Sequence, residues 1–408
     1  MYVIKKLDLS LFNTSRAYGI ARMFYGCSNL VELDIHNFDT SNVVWFYGMF
    51  EGCSSLVNLD ISNFDTSSAG YLESMFKDCK SLKYLNLSNF DTKNVKKMPE
   101  MFEGCESLVE LDITRFKTSL VENMSLMFYG CKNLVSLDIT NFNTAKVTGM
   151  QSMFRDCSSL TELDLSTFDT SEVDSMEWMF GGCTSLISLN INNLNTTKVT
   201  YIHCMFFGCS SLVELNLSNF DTNNAGMMEY FFSDCVNLEY INIEKFSETN
   251  LHTTPNQWYP NGWYNIFHNV PDDLVICLNE NNINILNELN QSVCYHIDCE
   301  PNWRLKRTSE IIEYIDHVKT CINTYGITKE ESFQNCVNFY KNDILCKCKN
   351  EQCLFCPTVD KYKGLCYICN FGYYPKNNDT LNKGNYINCY KDPIGFYLEI
   401  EEYNYKKC

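Results

Sequence analysis

Apolar positions in the first 250 residues follow one pattern that returns every 26 residues. Residues 49–66 read MFEGCSSLVNLDISNFDT, and residues 75–92 read MFKDCKSLKYLNLSNFDT. Within each copy the stretch L-x-x-L-x-[LI]-x-x-F, as in Leu30, Leu33, Ile35 and Phe38, has apolar residues at alternate positions around its centre. A period of two puts one side of a strand against a core and the other in solvent. Between strands, DTSNVVWFYGMF opens on a turn-forming cluster, and its apolar residues then recur at 43, 46, 49 and 50. That spacing predicts a short helical or 3₁₀ return. A lone strand-and-return unit cannot bury its apolar face, but stacked copies cover one another. The pattern therefore predicts a solenoid with one continuous parallel sheet.

Two residue types hold their places through the array. Cysteines stand at 27, 53, 79, 105, 131, 157, 183, 209 and 235, each preceded three residues earlier by Phe and followed three later by Leu. A second aromatic column runs through Phe38, Phe64, Phe90, Phe116, Phe142 and Phe168. Both columns read as packing, with Phe38, Phe64, Phe90, Cys53, Cys79 and Cys105 as structural positions, because a buried thiol behaves as a small apolar group. The alternative, a ladder of disulfides or metal-bound thiolates, needs neighbouring coils to pair, which an odd number of identical sites does not favour.

The L-x-x-L-x-L core, with MFxGC and NFDTS, resembles the BspA-like leucine-rich-repeat surface proteins of bacteria and mucosal protists. The likeness covers residues 1 to about 250. It implies a leucine-rich-repeat parallel β-sheet with short returns, in a secreted or cell-surface protein that adheres to host cells, matrix proteins or other microbes. No fixed ligand-contacting motif comes with it, so no binding residue is carried over.

Leu7, Asp8, Leu9, Phe12 and Thr14 align one period before Leu33, Asp34, Ile35, Phe38 and Thr40. The chain thus begins in mid-coil, and the expectation is that a natural N-terminus, with any signal peptide, is missing. At the other end Trp258 takes the Phe column one period after Phe232 while Asn261 takes the Cys column, so residues 251–307 read as a terminal coil and cap. Residues 308–408 read as a helix, SEIIEYIDHVKTCI, followed by a small disulfide-rich module truncated at Cys408. There Cys353, Cys356, Cys366 and Cys369 form two CxxC pairs that could complete a zinc site. Six further cysteines nearby, and CxxCxxGYY wording that resembles growth-factor-receptor-type modules, favour disulfides instead. His296, three residues before Cys299, could be half a metal site or a surface His beside a disulfide.

Charge narrows the partners. Fifty acidic against 32 basic residues give a net charge of −18, which repels nucleic acid and anionic lipid. No apolar run of 18 residues exists to span a bilayer. Six scattered histidines and the absence of G-x-S-x-G, H-E-x-x-H, Walker or dinucleotide glycine motifs leave no catalytic or cofactor site to name. Sequons at Asn13, Asn86, Asn123, Asn195, Asn216, Asn290 and Asn378 are as frequent as chance allows and say nothing about secretion.

The candidate binding surface is the solvent side of the strands: Glu32, Asp34, Asp60, Tyr84, Glu110, Asp112, Asp138, Glu162 and Asp164. It is either a solubilising face or an acidic contact stripe for protein or glycan partners, with Ca²⁺ as a bridging ion. The favoured function is non-enzymatic recognition or adhesion outside the cell. A structural coat or spacer, and an intracellular scaffold with a zinc-binding tail, are the alternatives.

Overall fold

The computed structural model describes residues 5–9, 11–252, 261–271, 274–279, 281–292, 295–297 and 299, and beyond these only the backbone of short strands. The helix expected at 309–322 lies outside the described residues. Contacts divide the chain into two compact units, Met1–Glu288 and Leu289–Cys408.

The first unit is a parallel-sheet solenoid. Its strands are very short: β1 (Lys6–Asp8), β2 (Glu32–Asp34), β3 (Asn58–Leu59), β4 (Tyr84–Leu85), β5 (Glu162–Asp164), β6 (Ser188–Asn190), β7 (Glu214–Asn216), β8 (Tyr240–Ile243) and β9 (Leu274–Leu278). Register follows the repeat, with Leu7 beside Leu33, Leu59 beside Leu85 and Leu163 beside Leu189. The ladder is not continuous, because no strand forms at 110–112 or 136–138. The unbroken parallel ladder runs instead on the return, through bridges from Gly19 and Trp45 to Tyr201 and Met227.

The return explains this difference. Val43, Phe46, Met49 and Phe50 are all buried as their spacing requires, and alternate residues make the i→i−3 bonds of a 3₁₀ turn, such as Met49 N–H to Phe46 C=O at 3.1 Å. The residues between them donate to the next coil instead, as Gly48 does to Glu73 at 2.9 Å and Phe50 to Met75 at 2.9 Å. Two left-handed residues per coil divide the bonds in this way. One position is held by Gly52, Asp78, Gly104 and Asp156, and the other by Gly48, Ser74, Leu126 and Trp178. Each left-handed residue interrupts helix propagation, so the return is a run of turns with no helix.

Three of the buried columns are the ones the sequence singles out: two of Phe and one of Cys. Phe24, Phe50, Phe76, Phe102, Phe128, Phe154, Phe180, Phe206, Phe232 and Phe267 stack with centroids 5.5 to 6.1 Å apart and planes within 16°. The Phe38–Phe168 column is also buried but stacks more loosely, as in Phe142–Phe168 at 6.4 Å. The cysteines form the third. Cys53 through Cys235 are buried free thiols, and Cys27 in the first coil is exposed. Each buried thiol donates to a Phe carbonyl of the preceding coil, Cys105 to Phe76 at 3.2 Å for example. Burial pushes Cys131 and Cys183 up to about 12, so these groups stay protonated thiols at neutral pH.

The end of the array corrects the sequence register. Phe267 stacks on Phe232, Val270 and not Asn261 takes the buried place in the Cys column, and Trp258 lies outside the described residues. The last period is 35 residues long, as the pairing of Tyr240 with Val275 also shows. Extra residues in the return loop shift every later column, which a fixed count of 26 cannot follow. After β9, α1 (Ile283–Ser292) begins at buried Asn282, whose amide donates to the Phe246 carbonyl. The Glu248 carboxylate accepts from the N–H groups of Asn284 and Ile285, at 3.1 and 2.6 Å. A carboxylate on free N–H donors at a helix start is favourable both as a cap and toward the helix dipole.

In the second unit, the described backbone forms β10 (Tyr295–Ile297), β11 (Cys346–Lys347), β12 (Cys353–Cys356), β13 (Ile368–Cys369), β14 (Tyr374–Pro375), β15 (Cys389–Tyr390), β16 (Phe396–Glu399) and β17 (Asn404–Lys407). Strands β11, β12 and β13 make an antiparallel sheet, and β14–β15 and β16–β17 are antiparallel pairs.

Candidate functional site

The strand face presents what its alternation promised. Glu32, Asp34, Asp60, Tyr84, Glu110, Asp112, Asp138, Glu162 and Asp164 are all exposed, on either side of the inward Leu column. Where strands pair, parallel register sets these residues beside their counterparts in the next coil, Glu162 beside Ser188 and Asp164 beside Asn190.

The aspartates also have a local task. Each carboxylate accepts from the residue two positions on: Asp60 from the Ser62 N–H at 3.0 Å, Asp112 from the Thr114 N–H and hydroxyl at 3.1 and 2.6 Å, and Asp138 from the same two groups of Thr140 at 3.1 and 2.7 Å. These bonds hold Asp60, Asp112, Asp138 and Asp164 below the usual carboxylate range. Asn86 and Asn216 accept the equivalent N–H, so the turn needs a side-chain oxygen and not a charge. Toward the N-terminus the stripe is partly neutralised. Lys6 reaches Glu32 at 2.6 Å, and the His36 ring meets Asp34 at 2.5 Å, which raises the His36 pKa.

One column escaped the sequence reading. The threonine of NFDT is buried in every coil from Thr14 to Thr222, and its hydroxyl closes a two-way bond with the residue 25 further on. Thr118 accepts from the Asn143 N–H at 2.7 Å and donates to the Asn143 carbonyl at 2.9 Å. The signal was an unvarying Thr inside a polar turn. Cys204 is a ninth buried thiol in this unit, outside the 26-residue register and in the left-handed column.

Among the described residues no group of three or more His, Cys, Asp or Glu is placed to hold a metal ion, so a cation on the stripe would draw its other ligands from a partner. Of the zinc candidates, Cys366 lies outside the described residues. The backbone register puts Cys353 opposite Cys369 and Cys346 opposite Cys356. Cys277 and Cys299 are both in disulfides. No described helix is long and apolar enough to cross a membrane.

Short strands, turn-built returns and buried Phe, Cys and Thr ladders define a repeat solenoid of leucine-rich-repeat type. The chain belongs to the family described as "Mycoplasma protein of unknown function, DUF285", whose model matches residues 2–110, 106–190 and 175–261. No curated protein matches. Solved structures it is similar to include TLR13 in complex with ssRNA13, at 14% identity and a TM-score of 0.26 over 76% of this chain and 48% of that one. The chain thus spans about half the length of that TLR13 chain. A leucine-rich-repeat protein of Leptospira interrogans matches at 12% identity and a TM-score of 0.23, over 75% of this chain and 91% of its own. An internalin of Listeria monocytogenes matches at 11% and 0.20, over 67% and 76%.

Proposed function

We propose that the protein is a non-enzymatic recognition or adhesion module acting outside the cell, with the exposed strand face as its contact surface for a protein or glycan partner. The observation that carries this reading is where the coils differ. Their Leu, Phe, Cys and Thr columns are held nearly constant and buried, while the outward position before the inward Leu changes from Glu32 to Asn58, Tyr84, Glu110, Ser136 and Glu162. Copies that share a packing problem diverge where packing does not constrain them. A long, rigid face with freely varied side chains is the arrangement from which solenoids build binding surfaces. The resemblance of MFxGC and NFDTS to BspA-like surface proteins supports the same setting.

The test is Asp112→Asn, Asp138→Asn and Asp164→Asn together. Asparagine already serves this column at 86 and 216, so the turns persist and only charge is lost. Adhesion to cells or matrix should fall in the triple variant and in rising salt, since an exposed electrostatic contact is screened. Adhesion equal to the parent's would leave the stripe as a solubilising face and favour the coat or spacer reading.

A further inference from the structure

The turn leaving each strand carries a short signature around a buried aromatic residue. It reads Asn-Phe-Asp at 37–39, 63–65, 89–91 and 219–221, and Asn-Phe-Asn at 141–143. In mid-array it reads Arg115-Phe116-Lys117. Phe116 stays buried, and both polar neighbours become exposed cations in a chain of net charge −18.

The Lys117 change gives up an interaction that other coils keep, whereas Arg115 retains the bond to the carbonyl 27 residues back that Asn89 and Asn193 also make. The Asn amide normally donates to the Phe or Leu carbonyl 25 residues back, as Asn63, Asn141 and Asn219 do at 2.8 Å. Arg115 reaches the Ser88 carbonyl instead, through Nη1 at 3.2 Å. The Asp or Asn at the other position normally accepts the N–H two residues on, as Asp65 does from Ser67 at 2.9 Å and Asp169 from Ser171 at 3.0 Å. A lysine cannot accept, so Lys117 leaves Ser119 without that bond. Neither cation gains an ion pair among the described residues. The nearby Asp91 carboxylate is already held by Lys93 at 2.7 Å. Lys117 breaks a local rule with no ion pair to replace the lost bond, and such a break is characteristic of functional positions.

The break coincides with an open notch of about 800 Å³, lined by Asn89, Thr114, Arg115, Lys117, Asn141 and Asn143 among others. Besides amides, hydroxyls and the two cations, the lining holds the Asp91 carboxylate, which is paired with Lys93. We propose that this notch binds an acidic saccharide, with Arg115 and Lys117 holding a single carboxylate or sulfate and the flanking amides and hydroxyls meeting the sugar hydroxyls. A guanidinium fork beside an ammonium suits one such oxyanion. The acidity of the rest of the chain disfavours a polyanion, whose further charges would be repelled. The notch lies on the turn edge beside Asp112, which accepts from the Thr114 of its lining, and does not depend on the strand face being the adhesive surface.

The test is titration of the whole chain by NMR with glucuronic acid, galactose 6-sulfate and glucose. Saturable binding of one or both acidic sugars is expected, with none for glucose at the same concentrations, and the acid that binds identifies the anion. Arg115→Asn with Lys117→Asp restores the Asn-Phe-Asp of neighbouring coils, so this variant keeps the fold, which circular dichroism checks. Its affinity for the acidic sugar should fall about tenfold or more with the charge-assisted bonds gone. Failure of both acidic sugars to bind, equal binding of glucose, or parental affinity in the folded double variant would each overturn the proposal. The Asp→Asn triple variant keeps Arg115 and Lys117, so adhesion and sugar binding succeed or fail separately.

Discussion

At Thr118 a single hydroxyl satisfies both backbone groups of Asn143, one coil away. Valine fills the same space and offers neither bond. Buried backbone groups left without partners cost about 1–3 kcal/mol, so Thr118→Val should lose that much in urea denaturation. Thr161→Val, at an exposed site, should stay within about 0.5 kcal/mol of the parent. Glu229 presents the opposite case. It is fully buried with neither carboxylate oxygen bonded, and burial raises its pKa from 4.5 to about 7. The folded chain therefore keeps a proton that the unfolded chain releases. Stability from this group is complete below pH about 4.5, falls between there and pH 7, and levels off some 3 kcal/mol lower. Glu229→Gln should flatten that fall, giving a gain over the parent at pH 8 and little change at pH 4. Identical pH profiles for the two proteins would mean that the carboxylate is solvated.

Among elements, the return and the short strands divide the hydrogen bonding unevenly. The return carries the unbroken ladder because alternate N–H groups are turned toward the next coil by left-handed residues. The Gly or Asp before each repeat cysteine marks one such position in the sequence. The other is occupied by Leu126 and Trp178, which have no preference for that conformation and are held there by cross-coil bonds to Gln151 at 2.9 Å and His203 at 3.1 Å. In the second unit the register of β11, β12 and β13 opposes Cys346 to Cys356 and Cys353 to Cys369. Directly opposed residues on antiparallel strands have Cα atoms about 4.5–5.5 Å apart, within the span of a disulfide. Non-reducing peptide mapping should find these two pairs. Stoichiometric zinc with free thiols at 353, 356, 366 and 369 would establish the intracellular zinc-tail alternative instead.

For the whole molecule, the repeat alone determined the solenoid, its parallel stacking and its buried Phe and Cys columns. Periodicity states directly which residues share an environment, and stacking is the one way such units bury their apolar sides. The outward position of the acidic stripe follows from the same alternation, since Leu33 cannot face inward without turning Glu32 and Asp34 out. What the tertiary structure decided is everything that depends on bonds between coils. Thr118 looks like any turn threonine until Asn143 is placed beside it, 25 residues on. The period of 35 at Phe267 is invisible to a fixed count, because loop length changes without altering which side chains stack. Arg115 and Lys117 were legible as letters, but only the tertiary structure shows that Lys117 forgoes its neighbours' turn bond and that both border an open notch. Sequence patterns record packing repeated in every coil, whereas a site built once, from a departure in one coil, takes its meaning from the three-dimensional neighbours it faces.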